Sequence, residues 1–166
     1  MMTLQRLKVK DAYHLDLIPS LIVGPDEEFS NVVQRFATRP VTRGIFVADA
    51  DRRLLGVITR TDLLDWARVK LGAVLQAPIP DRDKTFRLIS LMHASTAGQV
   101  MHPDSHRAAV KADDSLVHAL RLMIELDLTV VPVVDENKCI VEDLKLDEIL
   151  AKIVEGDEKK DQASAG

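Results

Sequence analysis

The chain has 166 residues, 46% of them hydrophobic and 29% charged, which suits one ordinary globular domain or two small interlocked ones. A formal net charge of −4 with scattered basic residues lacks the electrostatic footprint of a protein that binds nucleic acid or an anionic membrane surface. Aromatics make up only 4%, so the core has to come from Val, Leu, Ile, Ala and Met.

No apolar stretch approaches the roughly 18–20 residues that a bilayer-spanning helix needs. Met1 to Lys10 is charged and lacks the apolar run of a secretory signal. The lone cysteine, Cys139, rules out an internal disulfide and a Cys-rich metal site. A reducing, cytoplasmic setting is the expectation, with Cys139 as a small buried hydrophobe in the run Cys139-Ile140-Val141.

In chain order, Leu21-Ile22-Val23 is a short apolar run, and Gly24-Pro25-Asp26 reads as a turn. Phe29, Val32, Val33 and Phe36 follow at helical spacing. Gly44 to Ala48 and Leu54 to Ile58 read as two strands joined by a polar turn, Asp49 to Arg53. Thr59 then opens a helix through Leu63, Leu64, Ala67 and Leu71.

The second half repeats this order. Ala108-Ala109-Val110 is the short run, Asp113-Asp114-Ser115 supplies capping chemistry, and Leu116, Ala119, Leu120, Met123 and Leu126 form a helical stripe. Val130 to Val134 and Cys139 to Leu144 are strands around the turn Asp135-Glu136-Asn137, and Leu146 to Val154 is the closing helix. Val23 aligns with Val110, Phe29 with Leu116, Phe36 with Met123 and Asp62 with Glu148, and the lead-in Val9–Ala12 aligns with Ala97–Val100. This is an α+β chain of two β-α-β-β-α units, small sheets flanked by helices. Neither unit holds much core alone, so the two should pack together.

The boundaries read as residues 9–72 for the first repeat, 73–95 for a linker or insert, 96–154 for the second repeat and 155–166 for a fraying tail. The insert has a Pro-interrupted loop and a short helix around Phe86 to Met92; it reads first as a spacer and second as a cover for a pocket or a dimer contact.

The repeat resembles the CBS domain family. The resemblance rests on Val131-Pro132-Val133-Val134-Asp135 and on Gly56-Val57-Ile58-Thr59-Arg60-Thr61-Asp62, set in a repeated frame that covers roughly Val9 to Val154. It implies a tandem pair, or Bateman module, with a pseudo-twofold axis. Two clefts between the repeats would take AMP, ADP, ATP or a related adenosyl compound. The module would form a homodimer and regulate a separate effector protein.

The first motif suits that chemistry. Gly56 permits close approach by a ligand or another backbone. Thr59 and Thr61 bring hydroxyls to a helix N-terminus, where backbone N–H groups favour an anion, and Asp62 can accept hydrogen bonds from ribose. Thr59 and Asp62 also spell a capping box, so both roles stand together. By resemblance Arg43 is the phosphate partner, with Arg60 second, against a solvated arginine. Adenine would need an apolar slot from Val57 with Val23 or Val110, and His106 is a candidate to reach the phosphates from the second repeat.

The second motif is degenerate: Glu142 stands at the glycine position, Lys145 at the threonine and Glu148 at the aspartate. A weak or empty second site is expected, with a Lys145–Glu148 helix pair as the plain alternative. His102 and His106 flank Asp104, but Pro103 interrupts the helix a metal pair would need, and no metal or cofactor is assigned. No nucleophile elbow, zinc-protease helix or Walker loop is present, so no catalysis is assigned. The alternative function is a ligand-free structural or interaction module that dimerises.

Overall fold

The computed structural model describes residues 5–13, 20–39, 44–72 and 81–165. The first repeat holds β1 (Leu21–Val23), α1 (Phe29–Ala37), β2 (Ile45–Ala48), β3 (Leu54–Ile58) and α2 (Arg60–Leu71). The insert forms α3 (Arg82–Met92), and a short α4 (Ala97–Val100) leads into the second repeat. That repeat holds α5 (Leu116–Glu125), β4 (Val130–Val134), β5 (Ile140–Lys145) and α6 (Leu146–Ser164).

In the first sheet β1 runs parallel to β2, and β2 runs antiparallel to β3. The second sheet keeps only the antiparallel pair β4–β5. The strand expected at Ala108-Ala109-Val110 shrinks to one parallel bridge, Val110 to Val133. Ala108 closes a 3₁₀ turn, Ser105–Arg107, at φ −74°, ψ 18°, and two alanines bring no β-branched surface to pull the backbone extended. Pro132 fits that outcome. Its carbonyl accepts from Val110 N at 3.0 Å, so its donorless nitrogen faces the side where pairing is already sparse.

The two hairpin turns are built alike. Asp49 Oδ1 accepts from the amides of Asp51 and Arg53, and Asp135 Oδ1 accepts from those of Asn137 and Cys139. Arg52 and Lys138 both sit at φ 64°. The turns then pair with each other: Leu54 N donates to Lys138 O and Ile140 N to Arg52 O, each at 3.0 Å. Cys139 lies within this seam, half-buried rather than buried, and its thiol donates to Asp51 O at 3.4 Å.

Each repeat completes the other's core. Ala97 and Val100 of α4 are fully buried against Val23, Phe29 and Val32 of the first repeat. Val9 and Ala12 are buried against Leu116, Val133 and Ile149 of the second. The backbone seals both exchanges: Ala97 N donates to Glu27 O at 2.9 Å and Val9 N to Asp114 O at 2.8 Å. Lys8 and Lys10 also bond Asp113, and those bonds hold its carboxyl below the usual carboxylate range. A third cluster, with Phe46, Leu54 and Val57 facing Val130, Val134 and Ile140, joins the two repeats. Trp66 serves the first core, edge-on to Phe29 with ring centroids 5.1 Å apart.

Two sequence expectations change. The tail after Val154 is helical, with α6 continuing to Ser164. The insert is more than a spacer, because α3 packs along α2 with Leu88 and Leu91 buried beneath it.

Gly56 is explained by close approach. A Cβ there would stand 2.5 Å from Ser105 Oγ and 2.8 Å from Met101 Sδ, while one at Gly24 would meet nothing within 4 Å. Gly56→Ala should therefore cost about 1–3 kcal/mol in urea denaturation, and Gly24→Ala should stay within about 0.5 kcal/mol.

Candidate functional site

Two adjoining hollows open where β3 becomes α2. One, of about 170 Å³, is lined by Phe46, Val57 and Ile58 of the first repeat and by Leu128, Thr129 and Val130 of the second. The other, of about 520 Å³, is lined by Val57, Thr59, Thr61 and Asp62, by Asp81, Lys84 and Arg87 of the insert, and by residues of the second repeat. Val57, Thr59 and Asp127 line both.

The Thr59–Asp62 motif forms the expected capping box. Thr59 Oγ1 accepts from Asp62 N at 3.1 Å, and Asp62 Oδ2 accepts from Thr59 N at 2.8 Å and from its hydroxyl at 2.9 Å. The other oxygen, Oδ1, accepts from the Arg87 guanidinium at 2.9 Å. Asp62 is 2% exposed and the Arg87 side chain 16%, so this is a buried ion pair that also ties Arg87 to Val100 O. One turn along, Asp65 holds Lys84 at 2.5 Å. The spacing of three residues on each helix makes a two-rung ladder that clamps α3 over the cleft. Nε of Arg87 is buried without a partner among the described residues.

The remaining sequence candidates divide. Thr61 is exposed and lines the larger hollow. Arg60 lines the smaller one, and its guanidinium is bound to Asp127 across the mouth at 2.7 Å. Val57 forms a wall, but the expected partners Val23 and Val110 do not; each is buried in its own repeat's core. His106 also falls away from the site: it is exposed on the 3₁₀ turn, 3.3 Å from Pro103 O, and His102 lines the hollow instead. Arg43 lies outside the described residues. Gly56 faces Ser105 rather than a ligand, and Ser105 Oγ accepts from Val57 N at 2.9 Å.

The second cleft is built differently. Asp143 stands at the repeat position of Val57: Val57 pairs with Phe46, and Asp143 pairs with Pro132. Its carboxylate is 2% exposed, accepts from Ser20 N at 2.9 Å and Ser20 Oγ at 2.5 Å, and holds Lys145 Nζ at 2.8 Å. Lys145 thus spends its ammonium inside its own strand, and its amide donates to Glu148 Oε2 at 2.8 Å. Glu142 lines a hollow of only about 100 Å³.

Arg87, Lys84 and Asp143 escaped the sequence reading. Arg87 and Lys84 had a faint signal, cations three apart opposite acids three apart. Asp143 and Lys145 share one face of β5, so their i, i+2 spacing was the available cue.

Among known proteins, the CBS domain family model matches residues 12–68 and 97–155. The chain belongs to the CBS domain family. A CBS domain-containing protein from Thermotoga maritima is 31% identical, with a TM-score of 0.71 over 90% of this chain and 96% of that one. CBSX2 in complex with AMP shares the fold at 22% identity, TM-score 0.67, over 89% of this chain and 97% of that one. So does the CBS domain pair of MJ0100, bound to 5′-methylthioadenosine and S-adenosyl-L-methionine, at 16% identity and TM-score 0.59, over 91% and 98%. No curated protein matches. The chain is thus a tandem CBS pair of mixed helices and small sheets. Among the described residues, no helix is long and apolar enough to cross a membrane.

The ladder gives a direct test. Arg87→Met should cost about 3–5 kcal/mol in chemical denaturation, because it strands the Asp62 charge. In an Asp62→Asn background the same change should cost far less, and a double-mutant cycle reads the coupling.

Proposed function

We propose that the first cleft of this CBS pair binds an adenosine-type ligand and that occupancy biases a separate effector protein. The observation that carries the reading is the composite hollow: an apolar slot between the two repeats joined to a polar chamber at the start of α2. Phe46, Val57, Leu128 and Val130 suit an adenine ring, and Thr59, Thr61 and Asp62 suit ribose hydroxyls and the group beyond them. The adenosyl ligands named for CBSX2 and MJ0100 support the same class.

Asp62 is already engaged by Thr59 and Arg87, so a ribose has to share or take over Oδ1. Any such exchange moves α3, which gives ligand binding a mechanical consequence. Regulation then requires only that the ligand prefer one position of α3 over the other. The second cleft takes no comparable ligand in this reading, since Asp143 and Lys145 fill it.

The module acts in the cytoplasm and not as an enzyme. It acts as a homodimer, in which the outward-facing Leu64 of α2 and its repeat counterpart Leu150 of α6 meet a second copy. Isothermal titration with AMP, ADP, ATP and S-adenosylmethionine tests the site. Saturable binding near one ligand per chain is expected, weakened several-fold or more by Thr61→Ala and Asp62→Asn. A folded protein that binds none of them overturns the assignment.

A further inference from the structure

The charge of the larger hollow narrows the ligand class. Among the described residues, its wall carries six carboxylates, Asp62, Asp65, Asp81, Asp83, Glu125 and Asp127, against two cations, Lys84 and Arg87. Both cations are already ion-paired, although Nε of Arg87 keeps no partner among the described residues. Arg87 is held by Asp62 at 2.9 Å, and Lys84 by Asp65 at 2.5 Å. For either to turn to a phosphate, it would have to leave a carboxylate that is 2% or 8% exposed without its counter-charge. Arg60, at the mouth, is bound to Asp127. Asp83 and Glu125 have no ion-pair partner among the described residues and line the chamber from two different elements, one on the insert and one at the end of α5.

We infer that the first cleft selects an adenosine compound whose 5′ substituent is uncharged or cationic, and discriminates against a polyphosphate. This rests on the adenosine reading of the same cleft. Adenine in the apolar slot and ribose at Thr59–Asp62 direct the 5′ group into the acidic chamber. A thioether enters it without electrostatic cost, a sulfonium or ammonium is attracted, and a triphosphate meets like charge from the insert and from the second repeat. The unpaired exposed acids, Asp83 and Glu125, belong to segments outside the Gly56–Asp62 motif, so the selection is a property of this chain's insert and of the α5 terminus rather than of the motif. Because these carboxylates are exposed, the effect is screened over about 8 Å at physiological ionic strength and is greatest in dilute salt.

The test is titration of the full chain at low salt, free of divalent metal, with 5′-methylthioadenosine, S-adenosylmethionine and ATP. 5′-Methylthioadenosine, neutral at the 5′ position, reports the cleft alone. It and S-adenosylmethionine are expected to bind at least about tenfold more tightly than ATP. The double variant Asp83→Asn, Glu125→Gln, both at exposed positions, should narrow that ratio several-fold, chiefly by strengthening ATP, and added salt should narrow it in the parent chain. ATP binding as tightly as 5′-methylthioadenosine, or a ratio unmoved by the double variant, overturns the selection while leaving the cleft intact. ATP that binds tightly only with Mg²⁺ overturns it too, since the acids then serve a cation. If none of the three binds, the adenosine reading itself fails and the selection falls with it.

Discussion

The reciprocal exchange of lead-in segments is the constraint on which the rest depends. A three-stranded or two-stranded sheet with two helices cannot close an apolar core, and each repeat here borrows the missing wall from the other. Ala97 and Val100 seal the first repeat, and Val9 and Ala12 the second. Once that exchange is made, Phe46, Val57, Val130 and Ile140 must meet across the seam, and the hollows form where the seam ends at α2. The cleft is thus a by-product of how two insufficient cores become sufficient.

The two clefts began from one repeated plan and diverge through a few side chains. At the first, Val57 leaves an apolar wall, and Thr59 and Asp62 leave hydroxyl and carboxylate chemistry at a helix start. At the second, Asp143 and Lys145 stand at the positions of Val57 and Thr59, and they satisfy each other and Ser20. A buried pair of this kind is costly to break and offers little to a ligand. The module is therefore asymmetric in chemistry although its two halves follow one order of elements.

The sequence made the repeat legible because hydrophobic periodicity and turn residues recur at a nearly constant offset. The Asx turns at Asp49 and Asp135 and the capping box at Thr59 are local devices, encoded within five residues, and they form where the pattern places them. What stayed hidden is long-range. The pairing of Asp62 with Arg87 and of Asp65 with Lys84 joins residues 25 and 19 apart whose charges carry no periodic signature of a partner. Val23 and Val110 were misplaced for a related reason. Their apolar character marks burial, and nothing local says whether a buried valine faces a core or a cleft. His102 lines the hollow while His106 is exposed on the 3₁₀ turn that follows, and two histidines four residues apart around Pro103 carry no local sign of which one faces the cleft.

The exchanged lead-ins carry a historical implication. A single unit of this kind, synthesised alone, would expose the surface that its neighbour's lead-in now covers. Two identical copies could satisfy each other by trading those segments across a twofold axis, as the two halves do here. Gene duplication and fusion of such a pair would then free one half to drift. The ion pair at Asp143 and Lys145 has the character of that drift: polar groups that satisfy each other in one half where the other half keeps an apolar wall.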